Sequence, residues 1–145
     1  MNAYAVNNRA SFDYELLETF ETGIELTGHE VKSVKMNRAD MKSAHVIVRG
    51  GEAFMLGLTI HSFQPKNAPE NYDEERIKKL LLTKKEIGQI ASKLHEGLTV
   101  IPVKLYNKGA FIKVQIALAR GKKKYDKRET IKNREVDRKI HRKEY

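Results

Sequence analysis

The side chains with the most chemical reach in this chain are cations, and many of them are gathered at one end. Residues 121–145 hold 11 of the 28 Lys and Arg but only 5 of the 19 Asp and Glu, so six of the nine formal positive charges lie there. Such a block attracts polyanions, because each phosphate it neutralises releases condensed counterions. A second set, Lys104, Tyr106, Phe111, Lys113 and Gln115, falls on one face of two alternating strands and mixes ammonium groups with aromatic rings. That mixture suits a strand surface that holds RNA, although it equally describes an ordinary solvated face with two exposed rings. Among carboxylates, Glu21, Glu25 and Glu30 could converge on a metal ion for nuclease chemistry, but strand and capping roles explain two of them.

No further catalytic pattern is present. The sequence has no P-loop, no GxGxxG after a strand, no GxSxG and no Cys, and His29, His45, His61, His95 and His141 lack metal-ligand spacing. A binding protein without cofactor or metal is expected, not an enzyme. The absence of Cys suits a reducing cytosol, and no apolar run is long enough to span a bilayer. Residues 1–9 lack the apolar core of a signal peptide, so a cytoplasmic protein is expected.

The elements that must position these groups can be read in order. At 145 residues the chain fits one domain. Tyr14 to Phe20 has strand content, and Ile24 to Leu26 reads as a second strand after a tight connection at Glu21 to Gly23. Thr27 and Glu30 have capping-box spacing, which predicts a short helix carrying Val31 and Val34. Ala44 to Arg49 and Glu52 to Ile60 flank Gly50-Gly51, a pair able to supply the positive φ angles of a hairpin turn. Residues 62–73, with Pro65 and Pro69, read as a surface loop. After Asp73 the chain starts like a helix and ends in the unassigned apolar run Lys79 to Leu82. Thr83 and Glu86 form a second capping box, followed by Ile87, Ile90, Ala91 and Leu94 on one helical face and by Gly97 as the stop, predicting a helix over 84–95.

Thr99 to Tyr106 and Ala110 to Leu118 then form a hairpin around Asn107 to Gly109. Its core face is predicted to carry Ile101, Val103, Leu105, Ile112, Val114, Ile116 and Leu118. About six strands and two or three helices favour a mainly β fold, a small closed antiparallel barrel of the oligonucleotide-binding (OB-like) type with flanking helices; an open α+β sheet is the alternative. The composition shift at Ala119 to Gly121 divides the chain into a 1–120 body and a 121–145 basic tail. Asp126 and Glu129 could start a helix in the tail, yet only Ile131, Val136, Ile140 and Tyr145 are apolar beyond that point, too few to fold alone. The tail is therefore either a solvated charge run or a segment that orders on RNA.

Several stretches, taken in order, carry a resemblance: Asn8-Arg9, Phe20 to Gly28, Glu30 to Ser33, Gly51 to Phe54, Lys79 to Leu82, Glu96 to Thr99, Leu105-Tyr106 and Leu118 to Arg128. Together they resemble the tmRNA-binding protein family of bacteria, also called small protein B or SsrA-binding protein. The resemblance implies a β-barrel core with a C-terminal tail disordered when free and helical when ribosome-bound, one copy bound per RNA, and binding to the tRNA-like domain of transfer-messenger RNA. It further implies delivery to stalled ribosomes, mimicry of the missing anticodon arm, and a tail placed in the empty mRNA channel beside the small-subunit decoding centre. Translation would then switch to the tag-encoding frame of the RNA.

By the same resemblance the RNA contacts are Glu21, Leu81, Lys113 and Gly121 with Lys122, Lys123 and Lys124. The ribosome-directed tail positions are Asp126, Lys127, Arg128, Lys132, Arg134, Arg138, Lys139, Arg142 and Lys143. Asp40, His45 and Met36-Asn37 depart from the family's usual residues. A ribosome-associated structural protein or general RNA chaperone is the competing reading, since charge and barrel would support it equally.

Overall fold

A computed structural model describes residues 3–64, 66 and 71–121. The tail positions from Lys122 to Lys143, and the helix start at Asp126, lie outside the described residues. In chain order the elements are β1 (Ala3–Val6), α1 (Ala10–Asp13), β2 (Tyr14–Gly23), α2 (Gly28–Lys35), β3 (Ala39–Asp40), β4 (His45–Arg49), β5 (Glu52–Leu56), β6 (Thr59–Ile60), β7 (Lys78–Leu80), α3 (Lys84–His95), β8 (Thr99–Lys108) and β9 (Phe111–Gly121).

The fold is mainly β with few helices, as expected, but the closed barrel of about six strands is not what forms. The described strands build three open sheets, ordered β1-β8-β9-β2, β3-β6 and β4-β5-β7, with every pairing antiparallel. Closure fails for want of ladder length. The strands that would complete a ring, β3, β6 and β7, have two or three residues each, and β7 meets the end of β2 through the single Ile24–Leu80 bridge and the two backbone bonds that make it.

Local chemistry sets most element boundaries. Gly50 and Gly51, at φ +58° and +76°, supply both left-handed residues of the β4–β5 turn. Thr27 and Thr83 cap α2 and α3, each with the reciprocal bond from Glu30 or Glu86. Asn37, at φ +59°, ends α2: its amide and that of Arg38 donate to the carbonyls of Val34 and Ser33, the paired bonds of a Schellman stop.

Three expectations need correction. The tight connection at Glu21 to Gly23 is absent because that stretch stays paired with β9, Glu21 opposite Gln115 and Gly23 opposite Lys113. The helical start after Asp73 is also absent. Asp73 instead closes a turn by accepting from the amides of Glu75 and Arg76, and the chain enters β7 with Lys78 and Leu80 inward and Ile77 and Leu81 exposed. Finally, the hairpin turn is tighter than expected. Lys108 pairs with Phe111, which leaves Gly109-Ala110 as a two-residue turn.

A bulge between Pro102 and Lys104 shifts the phase of β8. Val100 and Leu105 therefore face the main core with Val114, Ile116 and Leu118, while Ile101 joins a smaller cluster with Ala10 and Ala119. The main core also takes Met55, Leu58, Ile60, Leu80 and Ile90. Each fully buried aliphatic chain of this kind contributes about 1.5 to 3 kcal/mol.

Candidate nucleic-acid interface

The site lies where β9, the end of β2 and β7 meet. Antiparallel pairing places Glu21, Gln115 and Lys104 in one cross-strand row and Gly23, Lys113 and Tyr106 in the next, so the rows share a face. Beyond Gly23 the ladder passes to β7: the amide of Leu81 donates to the Gly23 carbonyl at 2.9 Å. Lys113 on β9, Gly23 at the end of β2 and Leu81, the residue after β7, thus stand side by side.

Gly23 is small because of its neighbour and not because of a turn. A Cβ there would lie 3.1 Å from Leu81 Cδ1. Leu81, 55% exposed, and Phe111, 70% exposed at the hairpin tip, flank an open groove of about 200 Å³ whose floor includes Ile24, Leu26, Val31 and Ile112. Lys113 stands at its edge, with Nζ 5.9 Å from the Phe111 ring centroid.

Glu21 is engaged by its own protein. Its Oε2 accepts from the Tyr106 hydroxyl at 2.5 Å and its Oε1 from Lys108 Nζ at 2.9 Å. The Tyr106 bond first, then that of Lys108, holds the Glu21 carboxyl below the usual carboxylate range, with the charge of Lys113 adding to the effect. Burial, reinforced by the same carboxylate, pushes the Tyr106 hydroxyl far above its ordinary value. At neutral pH the pair is therefore an anion accepting from a neutral phenol. This bond braces the β8–β9 hairpin against β2, and leaves the carboxylate with spare lone pairs.

The structure thus brings Glu21, Leu81 and Lys113 to one seam. Gly121 is not with them: it pairs with Tyr14 at the opposite end of β9. Lys122, Lys123 and Lys124 lie outside the described residues. The face expected from the strand pattern is only partly exposed, since Tyr106 is buried and Lys104 covers its ring at 5.3 Å.

Lys108 is a site neighbour that the sequence reading missed, because it assigned that residue to the turn. The Gly109-Ala110 dipeptide, a Gly-X turn signal, would have returned it to the strand. Glu25 and Glu30 do not gather with Glu21. The Glu25 amide donates to the Lys79 carbonyl, and Glu30 pairs with Arg76. Among the described residues, no group of three or more His, Cys, Asp or Glu is placed to hold a metal ion. The seam offers an apolar step for an unstacked base, an ammonium for a phosphate or base edge, and a braced carboxylate for base amino groups.

The comparisons with known proteins agree with one another. The family model described as SmpB protein matches residues 4–144. The SsrA-binding protein of Thermosipho africanus is 49% identical over 97% of this chain and 95% of its own length. That of Mesoplasma florum is 46% identical over 96% and 94%, respectively. Among solved structures, a chain from work described as "tmRNA-SmpB: a journey to the center of the bacterial ribosome" superposes with a TM-score of 0.70. It is 37% identical and covers 88% of this chain and 93% of that one. With a family match over nearly its whole length and relatives close to half identical across it, the chain belongs to the SmpB protein family.

Proposed function

We propose that this protein binds the tRNA-like domain of transfer-messenger RNA and delivers it to stalled ribosomes for trans-translation, standing in for the missing anticodon arm. The observation that carries this reading is the seam that gathers Leu81, Phe111, Lys113 and the braced Glu21 on one exposed face, in a chain whose relatives are named for binding SsrA RNA. In this reading Lys113 donates to a phosphate or base edge, and Leu81 carries an unstacked base. Glu21 holds the hairpin that presents Lys113. Gly121 and the three lysines after it add backbone contacts at the far end of β9.

The division of labour follows the charge. Residues 1–120, joined by Gly121 to Lys124 at the start of the tail, grip the RNA, and the rest of the 121–145 tail, from Asp126 to Lys143, engages the ribosome through the empty mRNA channel. The protein performs no chemistry of its own and works in the cytoplasm, where its partners are. Among the described residues no helix is long and apolar enough to cross a membrane.

Competition tests the assignment. Unlabelled transfer-messenger RNA is expected to displace a labelled tRNA-like domain, and equal excesses of tRNA or unrelated hairpins are not; equal displacement by all three would instead identify a general RNA chaperone. Truncation after Lys124, which keeps Gly121 and the three lysines, is expected to leave RNA binding largely intact and to abolish tagging in reconstituted translation. Loss of both together would refute the division. Lys113→Ala is expected to weaken RNA binding by about 1 to 3 kcal/mol with the circular dichroism spectrum unchanged.

A further inference from the structure

Behind the groove lies a set of charges that no RNA contact requires. Glu30 is 1% exposed and Lys78 is fully buried. Glu30 Oε1 accepts from the Thr27 amide at 2.8 Å and from Arg76 Nη2 at 2.7 Å, while its Oε2 accepts from Arg76 Nε at 3.1 Å. The same guanidinium reaches two backbones: Nη2 donates to the Glu25 carbonyl at 3.2 Å and Nη1 to the Ile77 carbonyl at 3.1 Å. Two residues along, Lys78 Nζ donates to the Leu58 carbonyl at 2.8 Å.

These bonds gather around a short join in the fold. The end of β2 meets β7 through the Ile24–Leu80 bridge, made by two bonds, Glu25 amide to Lys79 carbonyl and Leu81 amide to Gly23 carbonyl, both 2.9 Å. So short a ladder is marginal by itself. Arg76 ties the two strands and the start of α2 into one unit, with the planar fork a guanidinium provides. We infer that the Arg76–Glu30 pair is a positioning device for RNA recognition: it fixes the register in which Leu81 emerges beside Gly23, and with it the shape of the groove. This rests on the reading of the groove as an RNA contact.

The test uses the full chain carrying Glu30→Gln with Arg76→Met, which removes both charges of the pair together and leaves Lys78 its bond to the Leu58 carbonyl. Arg76→Lys, which keeps the charge but loses the fork, is the second variant. With the fold retained by circular dichroism, the amides of Glu25 and Leu81 are expected to exchange hydrogen faster. Affinity for a transcript of the tRNA-like domain is expected to fall about tenfold, with Leu81→Ala adding little further loss and Lys113→Ala still costing its full amount. Arg76→Lys should fall between, and it is judged by the same criteria if the double variant does not fold.

Unchanged amide protection, or a Leu81→Ala loss that stays fully additive, overturns the inference. If Leu81→Ala and Lys113→Ala both leave binding by the parent chain unaltered, the groove itself is misread and the positioning role falls with it. That result is distinct from additivity.

Discussion

The outer and inner faces of β7 invert the usual partition of a protein. Outside, Ile77 and Leu81 at its two ends meet solvent, with Phe111 across the groove; inside sit Lys78 of the strand and Glu30 of α2. Charge is normally outside and large apolar groups inside. The buried charges are acceptable because each has a partner, and partnered charges fix register even where they add little net stability. The exposed apolar groups have no such internal justification. A groove of this composition makes sense when something else covers it. The inner set thus fixes the register of this join, and the outer set is, in the proposed reading, the surface offered to RNA.

Breaking the inner half should produce the largest effect on stability. Arg76→Ala strands the Glu30 carboxylate and is expected to cost about 2 to 3 kcal/mol in urea unfolding, below the roughly 3 to 5 kcal/mol of fully buried pairs because water reaches the Arg76 side. The same pair has a pH signature. Burial alone would push the Glu30 carboxyl up, but the bonds from Arg76 and the Thr27 amide, with the charges of Arg76 and Lys78, hold it below the usual range. Its contribution is therefore fully present above the ordinary carboxylate pKa and fades as pH falls through the depressed folded value. Arg76→Ala should flatten that acid limb; an unchanged limb would mean the pair contributes nothing.

A sharper probe sits on the boundary between the halves. Gly23→Ala pushes a methyl against the flexible end of Leu81, so the stability change should stay under about 1 kcal/mol while RNA affinity falls by more. Equal changes in the two would show that the groove has no separate role. The smallest stability effect is expected at Phe111→Ala, within about 0.5 kcal/mol, with a clear loss of RNA binding. A substantial drop in melting temperature would show instead that the ring packs with the core.

Features with a short-range cause were readable from sequence. Thr27 with Glu30, Thr83 with Glu86, and Gly50-Gly51 each determine structure within four residues, and each appears where expected. What could not be read depends on distant partners. Gly23 looks like a turn residue until Leu81 is placed against it, and Glu30 looks like a purely local cap until Arg76 arrives from 46 positions away. The helical start proposed after Asp73 was overridden by pairing of Lys78 to Leu80 on β5. The Pro102–Lys104 bulge moved Ile101 out of the main core because a single extra residue reverses which side of a strand faces inward. Of the candidate site, Glu21, Leu81 and Lys113 came through the family resemblance; periodicity alone offered only the face bearing Lys113.

β9 is hydrogen-bonded along its length, from Phe111 opposite Lys108 to Gly121 opposite Tyr14. It therefore acts as a measuring rod. Lys113 and the point where the basic segment departs are held about 27 Å apart, eight steps of an extended chain. Removing a pair of residues from the strand would shorten that span by about 7 Å without turning any side chain over, so the reach of one grip relative to the other is a length written into a single strand.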